Sequence, residues 1–291
     1  MTSVDLVNVF THQGAGGNPC PLVVDAQGMS GAEMQAVAQH HGHESGFVLP
    51  TDSDDFDLTL RFFVPKHEME MCGHATVGAL WLLARGNRLA GKTVRIATRS
   101  GPVTGFVGSN ADGTPAVEIT QPAGRVTPLT AEQTSDVLAA LGVGRDALAD
   151  LPLHNAVTSR TKTLVPMKDA ERLNALVAEP GRIEQVCNRI GSTGLYPYAV
   201  LDRSARSFEA RQFPRASGYP EDAATGIAAA ALAFGLLADG TVERDDRPIR
   251  IFQGRAMRQL SEIRVRIGFA DGRAIGCLLG GAVTPSDALH G

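Results

Sequence analysis

Strand-like and helix-like spacing alternate along the whole chain. Residues 4–10 (VDLVNVF) form an apolar-rich run, GAGGNP at 14–19 supplies turn formers, and residues 21–24 return to apolar character. Together they predict a β-hairpin. Residues 32–40 have helical character, while residues 46–49 and the alternating DFDLTLRFFV at 55–64 predict strands. The stretch MEMCGHATVGALWLLA at 69–84 then opens a helix that ends near Gly86. Further strands are predicted over 93–107 and 116–119.

Turn formers crowd residues 122–128, which therefore read as a linker and place a domain boundary there. Residues 1–122 become an N-terminal α/β half, which a C-terminal strand could complete, and residues 129–291 a C-terminal α/β half. The second half repeats the grammar of the first. An amphipathic helix over 131–141 precedes a strand at 162–166, a helix at 169–178, and strands at 194–202 and 206–214. PEDAATGIAAAALAFGLL then opens an Ala/Leu helix from a short polar loop, and strands at 249–253 and 261–268 follow.

Composition narrows the functional classes. The 291 residues are 43% hydrophobic and 20% charged, with 32 Gly and 16 Pro scattered rather than clustered, which is a loop-rich globular profile. A net charge of −4 and a pI near 6.1 give no electrostatic case for nucleic acid or an anionic membrane as main partner, so a small molecule is the expected one. Seven arginines between Arg244 and Arg266 are interleaved with acids and read as a solvated strand face. Four well-separated cysteines, Cys20, Cys72, Cys187 and Cys277, without a CxxC, indicate neither a zinc knuckle nor a disulfide framework. The N-terminal stretch has no signal-peptide pattern and no apolar run is long enough to span a bilayer, so a cytoplasmic location is expected.

Two short segments resemble each other. Setting CGHAT at 72–76 against AATGI at 223–227 pairs Cys72 with Ala223, Gly73 with Ala224 and His74 with Thr225. Each precedes or opens a helix, and a helix N-terminus is a seat for a carboxylate. Cys72 reads either as a dipole-stabilised thiolate or as a small packing residue. The alanine at the duplicated position argues against two cysteines working as a pair. His74 would be held neutral by the dipole at the first turn, as substrate partner or as cap. Glu44 stands between a loop and the strand GFVLP, a position suited to general acid/base work. Asp222 and Thr225 lie just before the second helix, and Thr225 is the expected side-chain partner of a helix end that begins at Gly226. HHGHES at 40–45 suggests a metal site, but Gly42 interrupts helical ligand spacing, so no metal is expected.

Five segments in chain order resemble the PhzF-like phenazine-biosynthesis isomerases. They are VNVF with GGNPCPLVV at 7–24, HESGFVLP at 43–50, HEMEMCGHATVGA at 67–79, FEARQFP at 208–214 followed by EDAATGIAAAALA at 221–233, and QGRAMR at 253–258. The resemblance implies an α+β fold of the diaminopimelate-epimerase-like kind, with two pseudo-symmetric halves, each a curved, mostly antiparallel sheet around a central helix. It also implies an active site between the halves, a homodimer, and proton transfer on a small carboxylic acid without cofactor or metal. By the same resemblance Glu44, His74 and Asp222 are the expected catalytic residues. Gly73, Ala75, Thr225, Gly226 and Ile227 are expected around the substrate carboxylate.

The chain departs from the family pattern at three places, one of them Gln259-Leu260 after Arg258, where Pro-Ser is common. His43-Glu44-Ser45 stands where Ser-Glu-Thr is common, and Ala223 and Ile227 stand where proline and serine are common. Losing the serine hydroxyl removes a hydrogen bond worth about 1–3 kcal/mol if the substrate group it served stays buried. A substrate other than the phenazine precursor is therefore expected. Two further readings compete: a non-catalytic binder of small carboxylates, and a metal-dependent hydrolase using His40, His41 and His43.

Overall fold

The computed structural model describes residues 3–89 and 91–286, so the outermost positions of the two expected halves, 1–2 and 287–291, lie outside it. The chain divides into two units, residues 1–120 with 279–291, and residues 121–278. The first unit contains β1 (Asp5–Thr11), β2 (Asn18–Val23), α1 (Gly31–His41), β3 (Ser45–Leu49), β4 (Leu58–Val64) and β5 (His67–Met69). It continues with α2 (Gly73–Arg85), β6 (Thr93–Thr98), β7 (Gly101–Ser109) and β8 (Pro115–Pro122). Next come β9 (Arg125–Pro128), α3 (Ala131–Leu141), β10 (His154–Val157), β11 (Thr161–Pro166), α4 (Ala170–Ala175) and α5 (Pro180–Ile190). The chain then forms β12 (Gly194–Asp202), β13 (Ser207–Ala210), β14 (Phe213–Pro214), α6 (Gly226–Ala238), β15 (Ile249–Gln253), β16 (Ser261–Ala270) and β17 (Arg273–Gly280). Finally β18 (Ala282–Pro285) pairs antiparallel with β1.

Strand pairing shows the internal repeat better than sequence does. In the first unit the ladder β18–β1–β2–β3–β4–β6–β7 runs antiparallel, antiparallel, parallel, antiparallel, parallel, antiparallel. In the second, β9–β10–β11–β12–β13–β15–β16 runs through the same series. The short strands β5 and β14 each precede a central helix, α2 and α6, but β5 pairs with β4 whereas β14 pairs with β12, the counterpart of β3.

Each sheet separates two kinds of helix, because neighbouring strand residues point to opposite faces. On β2, Leu22 packs towards Gly78 of α2, whereas Val23 joins Met34 and Ala38 of α1 in a separate cluster. On β11, Leu164 packs towards Gly235 of α6, whereas Val165 joins Val137, Ile183, Val186 and Phe213. Helix α2 is buried from Gly73 to Trp81, and α6 from Gly226 to Leu236. A helix apolar on every side belongs inside a core, which explains the Ala/Gly-rich composition of both. Among the described residues no helix is long and apolar enough to cross a membrane.

Several elements differ from the sequence reading. The expected linker at 122–128 is occupied by the end of β8 and by β9, whose Arg125 to Pro128 pair with Val157 to His154. Its turn formers bracket a short β-favouring Val-Thr instead of breaking the chain. Helix α5 was not expected, although Pro180 sits in its first turn and Ile183, Val186, Cys187 and Ile190 follow helical spacing. Strands β10 and β17 were also not expected, whereas β18, paired with β1, is the C-terminal strand that completes the first unit.

One close approach positions the site. A Cβ added to Gly46 on β3 would lie 2.8 Å from Leu22 Cδ2 and 3.1 Å from Ala75 Cβ. The alanine methyl is fixed to the first turn of α2 and cannot swing aside. We expect Gly46→Val to lower stability by about 1–3 kcal/mol through overpacking, read as a lower urea midpoint at unchanged m-value.

Candidate active site

The approach of α2 to β3 brings Glu44 against the start of the helix. The Cys72 thiol donates to Glu44 Oε2 at 3.2 Å, and His74 Nδ1 lies 3.5 Å from the same oxygen. His74 Nδ1 is also 3.3 Å from Cys72 Sγ. The backbone on both sides is tied down: the Cys20 thiol donates to the Glu44 carbonyl at 3.5 Å, and the Thr76 hydroxyl donates to the Cys72 carbonyl at 2.8 Å. Glu44 keeps 17% of its side-chain surface exposed while His74 keeps 4%, so Glu44 is the member solvent or a ligand can reach.

Burial decides the protonation states around that carboxyl. It pushes the Cys72 thiol well above its ordinary value, and the Glu44 carboxylate pushes in the same direction. Cys72 is therefore a neutral donor. Burial also lowers His74, an effect that the Glu44 charge opposes and His43 reinforces. At neutral pH the imidazole is uncharged, which is the state expected at a helix N-terminus.

Side-chain capping divides the helices, and α2 and α6 share with α5, whose N-cap is Glu179, the lack of it. Ser30 and Thr130 close complete capping boxes on α1 and α3, and Asp169 caps α4. Neither Cys72 nor Thr225 makes a side-chain cap hydrogen bond to its helix. The buried first turns of α2 and α6 thus present N–H groups that no N-cap side chain serves, the arrangement that receives anions. Gly73, His74 and Ala75 form this turn in the first unit, and Gly226 and Ile227 begin it in the second.

In the second unit Asp222 is held by a network centred on Gln253. Gln253 donates through Nε2 to the Asp222 carbonyl at 2.7 Å and to Thr225 Oγ1 at 3.2 Å. Its Oε1 accepts from the Tyr196 hydroxyl at 2.9 Å and from the Thr225 N–H at 3.3 Å. Gly254 follows at φ +87°, and a Cβ there would lie 2.8 Å from the Ala223 carbonyl, so only glycine permits this approach. The neighbouring Glu221 is clamped by two hydrogen bonds from Arg211, which also donates to the Leu173, Asn174 and Leu176 carbonyls.

Three corrections follow. Thr225 does not cap α6; its hydroxyl donates to Asp222 Oδ2 instead. The internal repeat is displaced by two residues from the sequence alignment, because α2 begins at Gly73 and α6 at Gly226 with equal lengths. Cys72 therefore matches Thr225, and His74 matches Ile227. Cys72 is buried, but it does more than pack, since its thiol contacts both Glu44 and His74. Gln253, Tyr196 and Arg211 were not singled out from sequence. Gln253 lies in the QGRAMR segment and Arg211 in FEARQFP, which were the available signals; Tyr196 lies in neither. Among the described residues, the side chains grouped closely enough to hold a metal are Glu44, Cys72 and His74. His40, His41 and His43 do not enter that group.

The His74 environment carries a stability prediction. Its folded-state value lies below the ordinary 6.5, so its contribution is fully present above that pH and is lost as pH falls towards the folded value. His74→Gln should shrink, without abolishing, the loss of stability between about pH 7 and about pH 5, because His41 and His43 are also lowered. Urea midpoints across that range test this; an unchanged slope would contradict it.

The geometry can be set beside known proteins. A family model described as phenazine biosynthesis-like protein, PhzC-PhzF, matches residues 7–287. The uncharacterized isomerase YddE of Escherichia coli O157:H7 is 30% identical over 288 residues, covering 95% of this chain and 93% of that protein. A Bacillus anthracis PhzF-family crystal structure superposes with a TM-score of 0.86 at 23% identity, over 97% of this chain and 96% of that one. A hydroxyproline epimerase from Agrobacterium vitis superposes at 0.63 and 13% identity, over 97% and 90% of the respective chains. The architecture is the α+β, diaminopimelate-epimerase-like fold shared by these structures. With the family model spanning nearly its whole length, the chain belongs to the PhzC-PhzF phenazine biosynthesis-like family and is an isomerase.

Proposed function

We propose that this isomerase moves a proton on a small carboxylic acid, shifting a double bond or inverting a carbon, with Glu44 as general acid and base. The observation that carries the reading is the position of Glu44. Its carboxyl touches a neutral thiol and a neutral imidazole beside an α2 N-terminus that lacks a side-chain cap. The Gly73, His74 and Ala75 amides supply the seat for the substrate carboxylate, as helix N-termini do for anions. Cys72 and His74 orient Oε2, and the Glu44 carboxyl cycles between its two forms as it takes a proton from one carbon and returns it.

In the second unit Asp222 is the polar group near the α6 N-terminus, bonded by Thr225, with Gly226 and Ile227 opening the helix. Ile227 is buried and has no hydroxyl to offer, so a substrate group meeting it is apolar. This favours a substrate less polar than those served by a serine at that position.

A non-catalytic binder of small carboxylates is the second reading, and Ile227 is the observation in its favour. Proton NMR in D2O separates the two. Wild-type protein incubated with dihydro-hydroxyanthranilate and a panel of small cyclic and amino carboxylates should bring deuterium into a carbon position of one member. Glu44→Gln should slow that exchange by about 10²–10⁴-fold. Exchange at equal rates in wild type and variant would remove Glu44 from the mechanism, and binding without exchange in either would favour the binder.

A further inference from the structure

We infer that Cys72 Sγ, His74 Nδ1 and Glu44 Oε2 form a binding site for a zinc-type divalent cation. The three atoms make a nearly equilateral triangle, with sides of 3.2 Å (thiol to carboxylate), 3.3 Å (thiol to imidazole) and 3.5 Å (imidazole to carboxylate). Tetrahedral zinc bonds of about 2.3 Å to sulfur and about 2.0–2.2 Å to nitrogen and oxygen place such donors roughly 3.3–3.6 Å apart. The side chains therefore stand close to ligand spacing already, within a few tenths of an ångström.

The donor types point the same way. One sulfur, one imidazole nitrogen and one carboxylate oxygen suit zinc or its cobalt substitute, whereas calcium and magnesium take shells of oxygen. Three protein donors leave a fourth position for water or a ligand group, on the side where Glu44 is exposed. Supporting contacts hold two of the donors from behind, the Cys20 thiol on the Glu44 carbonyl and the Thr76 hydroxyl on the Cys72 carbonyl. On binding, a sulfur–metal bond replaces the sulfur–hydrogen bond and the thiol proton leaves to water.

This site differs from the histidine run that sequence alone made suggestive. His40 and His41 end α1, and Gly42 at φ +68° turns the chain away before His43. Binding at Cys72, His74 and Glu44 does not depend on the isomerase reading. Its consequence does: a cation on Oε2 withholds that oxygen from proton transfer, so zinc acts as an inhibitor.

Cobalt titration of tag-free, chelator-stripped protein tests the site directly. Wild-type protein should develop a thiolate-to-cobalt charge-transfer absorption that saturates near about one equivalent and is displaced by zinc. Cys72→Ser should abolish that absorption, and His74→Gln should weaken affinity by at least about tenfold, in protein shown by circular dichroism to be folded. The His40→Gln, His41→Gln double variant should bind as wild type does. No thiolate band in folded wild-type protein, or affinity lost in the His40, His41 variant but kept in Cys72→Ser, would overturn the assignment. Deuterium exchange in the chelated protein is read separately, so failure of the isomerase reading leaves the metal result intact.

Discussion

The contact between Gly46 on β3 and Ala75 in the first turn of α2 is the constraint from which the first unit's site follows. A glycine there lets a buried helix start directly against the strand that Glu44 precedes. The carboxyl then falls within hydrogen-bond reach of Cys72 and within 3.5 Å of His74 without any loop having to fold inward. Packing thus performs the positioning that a mobile side chain would otherwise have to achieve at the cost of its own entropy.

Burial then sets the chemistry of the partners. The same enclosure that raises Cys72 lowers His74, so both stay uncharged around Glu44 at neutral pH. Neutral partners orient a carboxyl by hydrogen bonding and do not lock it into one form with an opposite charge. That distinguishes Glu44 from Glu221 and Glu68, which are held by arginines in two-point contacts and act as structural anions. The second unit reaches order by another route, through the Gln253 amide, which binds the Asp222 carbonyl and Thr225 at once.

Legibility in the sequence followed the range of the determining contacts. Helices α1 and α3 could be read from their local helical spacing, and the structure adds the complete capping boxes of Ser30 with Glu33 and Thr130 with Gln133. Glu44, CGHAT and the EDAATG loop were legible through the family pattern. The register of the internal repeat was not, because an alanine-rich segment aligns nearly as well two residues away. Strand β9 was hidden by the prolines and glycine around it, and β10 by being only four residues long. Arg211 looks like any arginine in FEARQFP; its role depends on carbonyls 35 to 38 residues away, which no local pattern records.

The claim on which this account turns is that the α2 N-terminus receives a carboxylate beside Glu44. Backbone amide shifts of 15N-labelled protein titrated with a small carboxylate that the protein binds measure it most directly. The account predicts saturable shifts at Gly73, His74 and Ala75, with the amides at the capped starts of α1 and α3 unmoved. Saturable shifts confined to other parts of the chain, with Gly73 to Ala75 unaffected, would contradict it.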